Sequence, residues 1–247
     1  MPKFFVKNNQ IENDTIQING TDVNHIKNVL RLKENDQIEI CDSESQQSYL
    51  CAIQQLQDNL IKCSIISKIE ESKESNIKVT IFQGLPKSDK MELIIQKSVE
   101  LGVYEITPVE MARCVVKLNE KDKSKKIERW NKISEVAAKQ SQRDIIPQIN
   151  NIMKISELAN IIGQFDDIIL AYEKEDNCTI KQELQRLKEQ NANKIGIVIG
   201  PEGGLEEKEV KLLEENGAKV VTLGKRILRT ETVAFNVLSD IIYEFEM

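Results

Sequence analysis

The sequence predicts an α/β protein built on a parallel sheet and preceded by a smaller β-rich domain. Three observations carry this expectation. Apolar β-branched runs alternate with amphipathic helical segments beyond residue 76, two of those runs end in glycine turns, and residues 4–69 show only short alternating strands between Asn, Asp, Gly and Ser turns.

Taken in order, residues 37–40 and 60–66 alternate as strands of the first domain. Residues 25–31 read as a brief helix with Ile26, Val29 and Leu30 inward, which leaves His25 and Arg31 outward. The polar stretch 70–76 lacks periodicity and fits a linker. After it, residues 77–84 read as a strand and 89–101 as a helix burying Met91, Ile94, Ile95 and Val99. Gly102 sits where a helix C-cap belongs, and 103–109 is the next strand, completing a parallel crossover unit. Residues 121–143 read as one long helix with Ile127, Trp130, Ile133 and Ala137 on its apolar face. Residues 167–172 and 179–190 then repeat the strand and helix alternation.

The chemistry concentrates in the last third. The strand 194–199 runs directly into Gly200-Pro201-Glu202-Gly203-Gly204 and then into a helix whose Glu206 and Glu207 suit its positive end. Gly203 and Gly204 allow backbone angles closed to other residues. A second strand, 218–223, ends in Gly224 and the loop 225–232. A helix follows, with Ala234, Val237, Leu238, Ile241, Ile242 and Phe245 at helical spacing and Thr230 or Glu231 as its cap. Turns at the carboxyl ends of buried strands are where open α/β sheets hold ligands, so the two flank one crevice. The first turn lacks the Lys-Ser/Thr of a P-loop and is not the three-glycine dinucleotide pattern.

Composition narrows the chemistry. His25 is the only histidine, which nearly excludes a Ser-His-Asp triad and a His-Glu-x-x-His metal site. The five cysteines are odd in number and widely spaced, which argues against a disulfide framework or a zinc site. No apolar run of about eighteen residues and no signal peptide is present, so a cytoplasmic location is expected. The net charge is −6, yet residues 112–143 carry ten Lys/Arg against four Asp/Glu, and 219–229 four basic residues and no acid. Acidity away from a concentrated basic surface is compatible with an RNA partner.

Residues 199–204 together with 223–232 resemble the paired motifs of the knotted (SPOUT) methyltransferases, and specifically the RsmE family. The segments 25–31, 87–103 and 135–143 are similar to the same family, so the resemblance covers nearly the whole chain. It implies a PUA-like β-barrel RNA-binding domain over 1–72 and a SPOUT α/β methyltransferase domain over 73–247, with a deep trefoil knot, a mainly parallel sheet and a homodimer. The implied activity is transfer of methyl from S-adenosylmethionine to N3 of a uridine in small-subunit (16S) ribosomal RNA, on the assembled 30S subunit, with no metal. The cofactor would lie on Leu170, Ala171, Tyr172, Gly200, Pro201, Glu202, Gly203, Gly204, Leu223, Gly224, Ile227, Leu228 and Arg229.

Arg229 would stabilise the uracil anion, and Glu202 and Glu231 are possible proton acceptors, set against purely structural roles for both. His25, Arg31, Lys87, Lys90, Arg113, Gln140, Arg143 and Arg226 are the candidates for RNA contact, with a helix-edge role as the alternative for His25 and interdomain hydrogen bonds as the alternative for Gln140, Ser141 and Arg143. Val233 stands where the family is expected to carry alanine, a change expected to leave the cofactor pocket almost untouched. Two rival readings are a non-catalytic ribosome-assembly protein, against which the intact glycine loops argue, and a knotted enzyme acting on another RNA.

Overall fold

The computed structural model describes residues 1–247. It divides into two compact units, one formed by Met1–Glu74 with Ala138–Ile146 and the other by Ser75–Ala137 with Pro147–Met247.

The first unit contains strands β1 (Lys3–Val6), β2 (Ile11–Glu12) and β3 (Thr15–Asn19), helix α1 (Thr21–Asn24), and strands β4 (Gln37–Asp42), β5 (Ser48–Leu56) and β6 (Leu60–Ile69). They form one curled sheet in the order β1-β4-β5-β6-β3-β2, with β1 parallel to β4 and the other pairs antiparallel. Alternation turns Ile38, Ile40, Cys51, Ile53, Ile61 and Cys63 inward onto Phe4, Ile16 and Ile18. Burial pushes the thiols of Cys51 and Cys63 up to about 12, so both act as small apolar side chains.

Helix α1 continues into a single π-helical turn over His25–Val29. Of the three residues expected inward there, only Ile26 is buried, while Val29 is 61% and Leu30 37% exposed. The wider turn carries them off the apolar face, and the chain leaves through Arg31 at φ 55.

Linear continuity placed residues 138–146 with the larger domain, but a charged network ties them to the smaller unit. The fully buried Lys3 ammonium pairs with Asp144, whose carboxylate also accepts from Ser48 Oγ at 2.6 Å and from the Lys73 amide at 2.7 Å. Burial alone would raise the Asp144 pKa, but these donors outweigh it and hold the carboxyl below its usual range. Arg143, read from sequence as a candidate for RNA contact, is instead 5% exposed and gives its guanidinium to Glu74 at 2.9 Å. A guanidinium enclosed in this way is not available to a phosphate.

The second unit begins with β7 (Lys78–Gly84), α2 (Lys90–Glu100), β8 (Glu105–Glu110) and α3 (Glu120–Gln140), the last three residues of which belong to the first unit. It continues through β9 (Gln148–Ile149), β10 (Met153–Lys154), α4 (Ile155–Ile161), β11 (Asp167–Ala171), α5 (Ile180–Glu189), β12 (Lys194–Ile199), α6 (Glu207–Glu215), β13 (Lys219–Val221) and α7 (Thr230–Glu246). All its strand pairs are parallel, in the order β10-β8-β7-β12-β11-β13, with β9 also on β8. Helix α2 buries Met91, Ile94, Ile95 and Val99 as its spacing predicts, and Gly102 at φ 81 ends it.

Strand β12 lies between β7 and β11 although it follows both in the chain. At its centre Gly196 passes between Phe82 and Ile168, where a Cβ would come within 2.9 Å of each. Because the strands are parallel, the segments leaving β11, β12 and β13 all emerge at one edge of the sheet.

Candidate functional site

Those three exits enclose a cavity of about 230 Å³. Each wall has a local cause. In the turn after β12, Gly204 takes φ 68, and its amide donates to the Pro201 carbonyl at 2.9 Å. Gly203 is needed for a different reason from the one expected. Its φ is not positive, but a Cβ there would lie 3.0 Å from Cβ of Arg113, whose Nη1 donates to the Gly203 carbonyl at 2.9 Å. Pro201 in turn packs against the end of β7, where a Cβ on Gly84 would come 2.7 Å from the proline ring. Glu206 and Glu209 close a capping box at the start of α6, with the Glu206 amide donating to Glu209 at 2.9 Å.

The loop after β13 is fastened to this turn by a buried relay. Gln83 Nε2 donates to Thr230 Oγ1 at 2.8 Å, and Thr230 Oγ1 donates to the Gly200 carbonyl at 2.7 Å. Gln83 is fully buried, and its Oε1 has no partner. Thr230 therefore does not cap α7. The N-cap is Arg229, and no side chain makes the capping bond. Neither Gln83 nor Gly84 was singled out by sequence reasoning. The available signal was a polar residue and a glycine ending an otherwise apolar strand.

Every predicted cofactor-loop residue lines the cavity except Leu170 and Arg229. Leu170 is wholly buried in the core between sheet and helices, because the strand's alternation turns it away from the cavity. Arg229 is exposed beside the cavity, flanked by Leu228 and Thr230, which line it. Glu173, Lys225, Arg226, Thr230 and Val233 also line it, so the departure at Val233 falls on the cavity wall after all.

The two carboxylates considered as proton acceptors share one cation: Lys90 Nζ lies 3.2 Å from Glu202 and 3.1 Å from Glu231. Glu202 also accepts from the Lys87 amide at 3.0 Å. Burial would raise the Glu202 pKa, but the backbone amides and Lys90 prevail and hold it below the usual carboxylate range, which weakens it as a base. Lys90 is raised by its hydrogen bond to Glu231.

Of the RNA-contact candidates, His25, Arg31, Lys87, Arg113, Gln140 and Arg226 are exposed, whereas Lys90 is half-buried and Arg143 buried. The His25 ring stands edge-on to Phe4, with centroids 6.3 Å apart. No helix is long and apolar enough to cross a membrane.

A glycine-walled cavity at the carboxyl edge of a parallel sheet, capped by the apolar Leu223 and Leu228 and by basic residues, suits a nucleoside-sized ligand bearing charge. The fold and site define an RNA methyltransferase: the RNA methyltransferase domain matches residues 73–242, and the RNA methyltransferase PUA domain matches 18–66. The chain is 39% identical over 257 aligned residues to the ribosomal RNA small subunit methyltransferase E of Bacillus subtilis (strain 168), covering all of this chain and 98% of that protein. It is 36% identical to the enzyme of the same name from Mesomycoplasma hyopneumoniae (strain 232), covering 98% and 99% of the two chains. The crystal structure of a ribosomal RNA small subunit methyltransferase E from Neisseria gonorrhoeae bound to S-adenosyl methionine superposes with a TM-score of 0.86 at 30% identity, covering 98% and 97% of the chains. The chain belongs to the ribosomal RNA small subunit methyltransferase E family.

Proposed function

We propose that the protein transfers a methyl group from S-adenosylmethionine to N3 of a uridine in 16S ribosomal RNA, acting in the cytoplasm as a homodimer on the assembled small subunit. The observation that carries this reading is the cavity itself, whose three walls are the segments the family resemblance assigns to the cofactor. A relative matching over nearly its whole length is a structure bound to that cofactor. The residues present fit it. The backbone of Gly200–Gly204 forms one wall of the cavity with no side chain from its glycines, and Leu223, Ile227 and Leu228 offer apolar faces to an adenine ring.

The bound donor supplies an electrophilic methyl carbon. The protein's own task is to align the uracil and to lower the cost of its N3 anion. Arg229 is suited to the second. Its guanidinium stays charged, is exposed, and has no hydrogen-bond or ion-pair partner, so it is free to meet negative charge developing on O2 and O4. Glu202 and Glu231 are then structural, since with Lys90 they fix the turn to the first turn of α7. His25, Arg31, Lys87, Arg113, Gln140 and Arg226 are the exposed groups for positioning RNA, and a base within folded RNA must be turned out toward the cavity.

The test is incubation of purified protein with methyl-labelled S-adenosylmethionine and either naked 16S RNA or intact 30S subunits. Label in the 30S sample is expected. Label in neither sample would remove the enzymatic reading.

A further inference from the structure

The wall after β11 brings a carboxylate into the cavity that the account above does not use. Glu173 lines the cavity, and a Cβ on Gly204 would lie 2.9 Å from its Oε1. The side chain therefore lies directly over the glycine turn, in space that any other residue at 204 would occupy. The acids around it are all paired. Glu202 and Glu231 share Lys90, Glu206 holds Lys208 at 2.8 Å, and Glu207 holds Lys174 at 2.7 Å. Glu173 makes no hydrogen bond or ion pair, although Lys225 and Arg226 line the same cavity and are also unpartnered. A pocket whose unpaired groups are one acid and two bases is complementary to a ligand that itself carries both signs.

We propose that Glu173 is the counter-charge for the cationic end of the methyl donor, a role that deepens the proposed function and rests on the donor lying in this cavity. The donor's methionyl arm carries two positive groups, a sulfonium and an α-ammonium, and one carboxylate. Glu173 faces the positive groups, and Lys225 and Arg226 are the only unpaired cations lining the cavity for the carboxylate. A carboxylate with no internal partner is also free of competition for this task, unlike Glu202.

The test is calorimetric titration of the full-length wild-type protein and Glu173→Gln with three ligands: S-adenosylmethionine, which carries both cations, S-adenosylhomocysteine, which keeps only the ammonium, and methylthioadenosine, which has neither. The substitution should weaken S-adenosylmethionine about tenfold, the scale of one charge-assisted contact, and leave methylthioadenosine within about twofold. An equal loss for S-adenosylhomocysteine would assign the contact to the ammonium, and a smaller loss to the sulfonium, both in support. Unchanged binding of S-adenosylmethionine, or an equal loss for methylthioadenosine, would overturn the assignment while leaving the proposed function standing. Failure of the wild type to bind S-adenosylmethionine would overturn both.

Discussion

The loop after β13 and helix α3 are both basic, and they differ in how much of that charge is already paired. Along α3, Lys123 is held by Glu110 and Glu120, Arg129 by Glu92 and Lys132 by Glu128, all within 3.0 Å, while Lys126 stands over the Trp130 ring and Lys121 and Lys125 are unpaired. At its end Lys139 is held by Asp22, again within 3.0 Å. In the loop, Lys225, Arg226 and Arg229 have no partner in the protein. The helix carries more basic residues than the loop, seven against three, but four of the seven are tied up in ion pairs, whereas all three in the loop are left for a ligand or for RNA. A count of basic residues thus measures attraction at a distance, and pairing decides where an anion can settle.

The sharpest way to break this contrast is at the buried extreme of the paired set. Asp144→Ala leaves the enclosed Lys3 ammonium with only Glu39, 3.8 Å away, and should cost about 3 kcal/mol in chemical denaturation. The sign with pH follows from the depressed carboxyl. Its contribution is present above the unfolded-state pKa and is lost as pH falls through the folded value, so wild-type stability should fall on acidification below about pH 4, a slope that Asp144→Asn should reduce. An unchanged slope would mean that the network is not coupled to folding.

At the free extreme, Arg229→Ala should lower methyl transfer about 100-fold, with stability and donor affinity little changed, measured as single-turnover rate against calorimetric Kd. Equal loss in rate and affinity would return Arg229 to a binding role. Thr230→Val removes the hydroxyl between Gln83 and the Gly200 carbonyl and should cost about 1–3 kcal/mol of stability. Donor affinity should fall with it, and Thr230→Ser should restore both. The smallest expected effect concerns salt. Replacing both Lys225 and Arg226 with Ala should reduce the salt slope of RNA binding, measured without the methyl donor, by about two, whereas the same change at Lys123 and Lys132, already paired, should reduce it by less than about one.

Much of this molecule is legible in its sequence because long apolar runs are periodic. Strand β12 and helix α2 fall where spacing places them, and the glycine turn after β12 lines a cavity at the sheet's carboxyl edge. What was not legible has identifiable causes. Strands β9 and β10 are two residues each, too short to show alternation. The burial of Arg143 depends on Glu74, a partner 69 residues away that no local pattern reveals. Val29 and Leu30 were misplaced because a π turn departs from the α-helical repeat on which the expectation rested. Leu170 was grouped with the cofactor residues by sequence, but it lies within β11, where strand alternation turns its side chain into the core.

The central claim is that this cavity serves methylation of one uridine at N3. Mass mapping of modified nucleotides in ribosomal RNA, from cells with and without the gene, tests it most directly. One N3-methyluridine in 16S RNA should disappear with the gene and return on complementation by the wild type but not by Arg229→Ala. An unchanged 16S map, or a lost methyl on a different base or a different RNA, would contradict it.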